Sequence, residues 1–173
     1  MASPPACATP VEPIPALDSL LIPFRSQPPS PRLPEGYRLL DDPHPPPEVL
    51  NRLLTLMGDR PRSPARWLRV LECSLWHFGV ADASGSLVGF VRITSDLALN
   101  ANLWDLCADP GDPEQPAVML ALVQAALVRL RRELGGCSVS LSAPAGALAA
   151  LEHHGFVVDP GGIRAMGLRL LPP

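Results

Sequence analysis

His153 and His154 form the only adjacent histidine pair in the chain, and imidazole titrates close enough to neutrality to carry a proton at physiological pH. They end a short helical run that stops near Gly155, so they also read as solvated side chains at a helix end. The four cysteines, Cys7, Cys73, Cys107 and Cys137, include no C-x-x-C pair and have no histidine at zinc-ligand spacing. No metal centre or disulfide framework is expected from them, only single thiols. All fourteen basic side chains are arginine and none is lysine. Arg129, Arg131 and Arg132 cluster where a helix is expected to end, and cations there complement the helix dipole. A formal charge of −3 offers no general attraction to nucleic acid or anionic lipid, so neither is an expected partner.

The elements that must position these side chains follow from periodicity. Tyr37 to Leu40 is a short strand with Tyr37 as a packing residue, closed by Asp41, Asp42 and a proline run. Val49, Leu50, Leu53, Leu54 and Met57 recur at helical spacing behind Pro47 and Glu48, and Gly58 is placed to end that helix. Ser63 and Pro64 read as the cap and first residue of a second helix, with Trp67, Leu68 and Leu71 inward. Leu75 to Ala81 and Leu87 to Thr94 form a hairpin around the loop Asp82 to Ser86. In the next strand, Asn102 to Ala108, simple alternation puts Leu103, Asp105 and Cys107 on one face and Trp104, Leu106 and Ala108 on the other. The strongest periodic segment is the helix from Pro116 to Leu134. It is followed by a strand at Cys137 to Leu141, a short helix through Ala147, Leu148 and Leu151, and strands at Phe156 to Val158 and Ala165 to Leu171.

Ten of the first thirty-four residues are proline, which removes the backbone donors that ladders and helices need. Residues 1–35 are therefore expected to form a largely irregular tail, in which Leu17 to Phe24 is apolar enough to dock as an extended strap, and residues 36–173 the domain. The longest apolar stretch, Val118 to Leu130, is broken by Gln124 and Arg129 before the ~20 residues that a membrane span requires. The tail has no basic start followed by a continuous apolar run, and a cytoplasmic location is expected.

The stretch Leu87-Val-Gly-Phe-Val-Arg-Ile-Thr-Ser-Asp96, followed by Asn100-Ala-Asn-Leu-Trp-Asp-Leu106 and Asp109-Pro110, resembles the plastid and cyanobacterial branch of the GNAT superfamily. That branch includes the plant-type serotonin and lysine N-acetyltransferases. His154-Gly-Phe156 and Asp159-Pro-Gly-Gly-Ile-Arg-Ala-Met166 resemble its closing segment, so the likeness covers roughly residues 36 to 171. It implies an α/β GNAT (acyl-CoA N-acyltransferase) fold, with a mixed, mostly antiparallel central sheet flanked by helices. It also implies transfer of an acetyl group from acetyl-CoA to a primary amine, on a small molecule or a protein.

By this resemblance the strand through Leu106, Cys107 and Ala108 would orient the pantetheine arm by its backbone, with Leu106 and Ala108 as contacts. Asp105 matches a carboxylate near the reacting centre and would accept the amine proton, directly or through water; its alternative part is to anchor a loop. Diphosphate would meet the turn that opens the long helix, at Gln115 and Ala117. There the glycine-rich turn of the family is replaced by Pro113-Glu-Gln-Pro-Ala-Val118. Side chains stand where bare backbone had to approach phosphate, and Pro116 has no amide hydrogen. A carboxylate such as Asp112 or Glu114 at ~5 Å from a phosphate, at an effective dielectric of ~20, costs roughly 3 kcal/mol per charge pair before screening. The position of the family's tyrosine acid falls on Leu151, with His153 and His154 nearby. Three functions follow as expectations: an N-acetyltransferase with activity weakened or lost, a non-catalytic GNAT-fold binding or regulatory module reached by a protein partner through the tail, and an acyl-CoA sensor without turnover.

Overall fold

A computed structural model describes residues 31–159 of the chain. Pro47 opens helix α1 (Pro47–Leu56), and Gly58, at φ +87°, supplies the left-handed residue that turns the chain out of it. Ser63 caps α2 (Pro64–Glu72) by accepting from the Arg66 amide at 3.4 Å. Among the described residues five strands make one sheet in chain order: β1 (Arg38–Asp41), β2 (Trp76–Ala81), β3 (Leu87–Ser95), β4 (Asn100–Ala108) and β5 (Ser138–Leu141). The first four are antiparallel neighbours, and β5 lies parallel to β4 after the crossover through α3 (Gln115–Glu133). A 3-10 turn at Ala145–Ala147 leads into α4 (Leu148–His153).

Each face of the sheet has its own core. Val118, Met119, Leu122, Val123, Ala126 and Leu130 of α3 cover Phe78, Val80, Val91, Ile93, Leu103 and Leu106. On the other face Leu50, Leu53 and Leu54 of α1 and Trp67 and Leu71 of α2 cover Leu87, Phe90 and Cys107. The approach of α3 depends on Gly89: a Cβ there would stand 2.5 Å from Val118 Cγ1 and 2.9 Å from Leu122 Cδ1, both in fully buried side chains. Overpacking of that kind costs roughly 1–3 kcal/mol, so Gly89→Ala is expected to lower unfolding stability by about 2 kcal/mol in urea titrations.

Four expectations from the sequence are corrected. Leu68, expected on the inner face of α2 with Trp67 and Leu71, is 58% exposed. β4 does not alternate simply, as the site description below makes clear. Phe156 to Val158 is not a strand: Gly155, at φ +88°, ends α4, and the Phe156 amide turns back to the Leu151 carbonyl at 3.0 Å. Tyr37 precedes β1 and is more than packing, because its hydroxyl donates to Asp112 Oδ1 at 2.9 Å. The strand expected at Ala165 to Leu171, and the strap at Leu17 to Phe24, lie outside the described residues.

His77 on β2 is 5% exposed, and neither ring nitrogen has a hydrogen-bond partner. It faces His44, Phe90 and, at 3.5 Å from Nδ1, Asp42. Burial holds its pKa below the ordinary histidine value, against the opposing pull of Asp42. Because the folded-state pKa is depressed, the unfolded chain takes up a proton that the folded chain refuses. Stability is therefore complete above the unfolded histidine pKa of about 6.5 and falls as pH drops below it, by at most about 1.4 kcal/mol per pH unit for one proton. His154, also lowered by burial, adds in the same direction. Urea titrations at pH 7 and pH 5 are expected to show this loss, and His77→Phe to reduce it.

Candidate functional site

β4 carries an extra residue. Phe90 pairs with Cys107 and Arg92 with Trp104, so Asp105 and Leu106 together oppose the single residue Val91. Asp105, the first of the two, has a φ of +53°, a left-handed conformation Asp adopts more readily than most side chains. Trp104 and Asp105 consequently project toward the α1–α2 side, Leu106 and Leu103 toward α3, and Cys107 back toward α1.

The bulge is held from two directions. Asp105 Oδ2 accepts from Arg92 Nε at 2.6 Å, and Oδ1 lies 3.1 Å from Arg62 Nη2 in the α1–α2 loop. The Asp105 side chain is 6% exposed, against 15% for Arg92 and 29% for Arg62. Arg62 is fixed in turn by Asn51, whose side-chain amide donates to the Arg62 carbonyl at 2.8 Å and whose oxygen accepts from the Arg62 amide and from Trp67 Nε1, each at 2.8 Å. Arg92 lies over the Trp104 ring, and Trp104 Nε1 donates to Thr94 Oγ1 at 2.8 Å. None of Asn51, Arg62 or Arg92 was singled out by sequence pattern, since each acts through a partner distant in the chain. The positive-φ tolerance of Asp in an otherwise β-prone run is the one local signal that could have pointed to the bulge.

Beyond the bulge, β4 and β5 part. Their pairing runs only from Asn100↔Ser138 to Leu103↔Leu141, which leaves residues 104–108 with no strand on that edge among the described residues. The Asp109 amide donates to the Val88 carbonyl on β3, so backbone alternation turns Ala108 and Leu106 to the open edge. Of the residues expected to contact a cofactor, these two have their backbone there, while their side chains are buried against α3.

Gln115 and Ala117 sit in the first turn of α3, and their surroundings are crowded with carboxylate. Asp112 Oδ1 accepts from the Glu114 amide at 2.8 Å as well as from Tyr37, whose pKa is pushed up to about 12, chiefly by that hydrogen bond. Asp109 Oδ1 accepts from the Gly111 amide at 2.9 Å, and the Gln115 amide donates to the Asp112 carbonyl at 3.1 Å. The Gln115 side chain reaches Gly146, whose Cβ position would be 3.4 Å from Gln115 Nε2.

The remaining candidates lie apart from Asp105. Leu151 is buried in the α3 core, and His154 Nε2 contacts the Leu120 carbonyl at 3.2 Å. Burial drives the Cys107 thiol up to about 12, which removes it as a nucleophile. Among the described residues no cluster of three or more His, Cys, Asp or Glu could hold a metal, and no helix is long and apolar enough to cross a membrane.

A mixed, mostly antiparallel sheet with a bulged fourth strand, parted from a parallel fifth, and helices on both faces define the GNAT acyl-CoA N-acyltransferase fold, and this chain has it. A probable acetyltransferase from methicillin-resistant Staphylococcus aureus superposes with a TM-score of 0.68 at 18% identity, over 78% of this chain and 99% of that one. An Escherichia coli GNAT-family N-acetyltransferase in complex with CoA gives 0.53 at 18% identity, over 70% of this chain and 68% of that one. In sequence the chain is similar to the soybean protein named histone acetyltransferase TAP1, 34% identical over 80 residues that make 46% of this chain and 34% of that protein. It is likewise 37% identical over 83 residues to the Arabidopsis thaliana GCN5-related N-acetyltransferase 2, chloroplastic, covering 46% of this chain and 30% of that protein. These matches thus span about a third of the relatives' own length. No protein-family model matches the chain.

Proposed function

We propose that the chain is an N-acyltransferase that takes an acyl group from a pantetheine thioester and passes it to a primary amine at the bulge of β4. The observation that carries this reading is the parting of β4 from β5 just where the bulge begins, which bares the backbone of Leu106 and Ala108. An open strand edge can align an extended amide-bearing arm, and an amide at the bulge can donate to a thioester oxygen. Sequence likeness to proteins named as acetyltransferases makes acetyl-CoA the donor of first choice.

Asp105 serves this site by position. With one oxygen on Arg92 and the other facing Arg62, it holds the bulge in shape and fastens the α1–α2 loop over it. The amine proton then leaves to water. No phenol stands at Leu151, so the departing thiolate also takes its proton from solvent.

The diphosphate end of the donor does not fit the opening of α3 in the same way. Asp112 and Asp109 already occupy amides of that turn, and Glu114 adds a third carboxylate. This observation favours a second reading, a GNAT-fold binding module that does not take acetyl-CoA normally. Calorimetry separates the two. The acyltransferase reading expects heat with acetyl-pantetheine, a weaker or equal response to acetyl-CoA, and thiol release on adding amines. Absence of heat with either thioester at millimolar concentration would leave the binding module.

A further inference from the structure

The end strand β1 and helix α3 do not close on one another. Between them lies a cavity of about 400 Å³, with the buried Phe78 and Ala121 at its base and Leu39, Ala125 and Val128 at its sides. Asp41 of β1 and Arg129 of α3 meet there, Oδ2 to Nη1 at 3.3 Å. Leu39 is 44% and Val128 46% exposed. A single exposed Leu or Val is ordinary on a protein surface, but two that line one apolar cavity mark a place built to be covered. Gln124, buried on α3, adds an amide that can both donate to and accept from a peptide group.

The chain itself comes to this cavity. Pro31 and Leu33, at the start of the described residues, line it together with Leu39 and Val128. Of the thirty residues before Pro31, the most apolar run is Leu20-Leu-Ile-Pro-Phe24. Seven positions separate Phe24 from Pro31, which is at most ~25 Å of chain. The part of α3 that lines the cavity, Ala121 to Arg132, is ~16 Å long, and five extended residues span as much. A segment tethered this closely has an effective concentration in the millimolar range, ahead of most free partners. A second copy is a poorer fit, since a stable dimer covers ~800 Å² on each partner, far more than Leu39 and Val128 expose.

We propose that residues 20–24 of this same chain occupy the cavity between β1 and α3, with their apolar side chains on Leu39, Ala125 and Val128, and so strap the amino-terminal region to the domain. Pro23 suits that place, because it carries no backbone donor for a groove of apolar side chains to leave unpaired. The strap is independent of acyl transfer: it lies on the α3 face of the sheet, whereas Trp104 and Asp105 project toward the α1–α2 side.

Methyl NMR on the full chain tests it. Ile22 is one of only four isoleucines, Ile14, Ile22, Ile93 and Ile163, so its δ1 methyl is readily assigned. Cross-relaxation is expected between that methyl and those of Ala125 and Val128, and is expected to persist when labelled chain is diluted into excess unlabelled chain. The groove variant Leu39→Thr with Val128→Gln, and the tail variant Leu20→Ser with Leu21→Ser, are each expected to return the Ile22 methyl to its random-coil shift. Both groove side chains are exposed and each replacement suits its element, so the fold is expected to persist. Each variant is expected to lower the melting temperature by about 2–4 °C, and the four substitutions together by little more than either pair, because both pairs remove the same contact. Cross-relaxation found only between labelled and unlabelled chains gives the cavity to a second copy and overturns the proposal. A random-coil Ile22 methyl in the unaltered chain, or fully additive losses of melting temperature, overturns it as well.

Discussion

Asp105→Ala is expected to cost about 3–5 kcal/mol of unfolding stability, the usual loss when one member of a buried charge pair is removed. The side chain is 6% exposed, and its removal takes the carboxylate from Arg92 on β3 and leaves Arg62 in the α1–α2 loop only the exposed Asp59 at 3.5 Å. Two effects are mixed in that figure, because Ala also tolerates a φ of +53° poorly. Asp105→Asn separates them. Asn accepts the left-handed conformation and can still receive one hydrogen bond, so it is expected to lose about half as much. Urea midpoints for both variants check the magnitude. If Asp105 acts as the amine's base instead, Asn would keep most of the stability and lose acyl transfer completely; an Asn variant that transfers acyl groups at a reduced but measurable rate supports the positioning role. A loss under 1 kcal/mol in the Ala variant would mean that the two arginines find other partners and that Asp105 does not hold the bulge.

Much of the frame was legible because each piece declares itself locally. The Ser63 cap, the Gly58 helix end and the hairpin at Asp82 to Ser86 are short-range patterns, and the structure places each as its residues suggest. The long amphipathic run fixes α3 to within a residue or so at each end. What sequence could not supply is register. Asn-Leu-Trp-Asp-Leu-Cys-Ala reads as unbroken alternation, and only pairing with β3 reveals the additional residue that rotates Trp104 to the side of Asp105. The partners that give the site its shape are also distant: Arg62 lies in a loop before α2, Asn51 within α1, and Tyr37 is 75 positions from the Asp112 it anchors. No periodicity encodes such contacts. The run Pro113-Glu-Gln-Pro-Ala-Val118 at the opening of α3, by contrast, was plain in the sequence. Only the structure adds that Asp112 accepts from the Glu114 amide and Asp109 from the Gly111 amide in the turn that leads into α3.

Restoring that turn is expected to change donor affinity more than any other substitution here. Asp112→Gly combined with Glu114→Gly is expected to tighten acetyl-CoA binding by about 10- to 100-fold and to leave acetyl-pantetheine unchanged. Two unit charges ~5 Å apart interact by roughly 3 kcal/mol at an effective dielectric of ~20, and screening at an exposed helix end removes part of that. The lower bound, tenfold, corresponds to about 1.4 kcal/mol. Glycine contributes in a second way: it frees the Glu114 amide from Asp112 and lets the backbone approach the anion without a Cβ between them. Asp112→Asn isolates the charge, since its oxygen can still accept from Tyr37 and from the residue 114 amide; it is expected to recover only part of the gain. Acetyl-pantetheine is the internal control, because it lacks the diphosphate and, on the proposed reading, would meet only the open edge of β4. Were both thioesters to gain equally, the carboxylates would be acting on the fold of the loop rather than on phosphate. If acetyl-CoA gained nothing, Pro116 and the withdrawn amides, not charge, would be what keeps diphosphate away from α3.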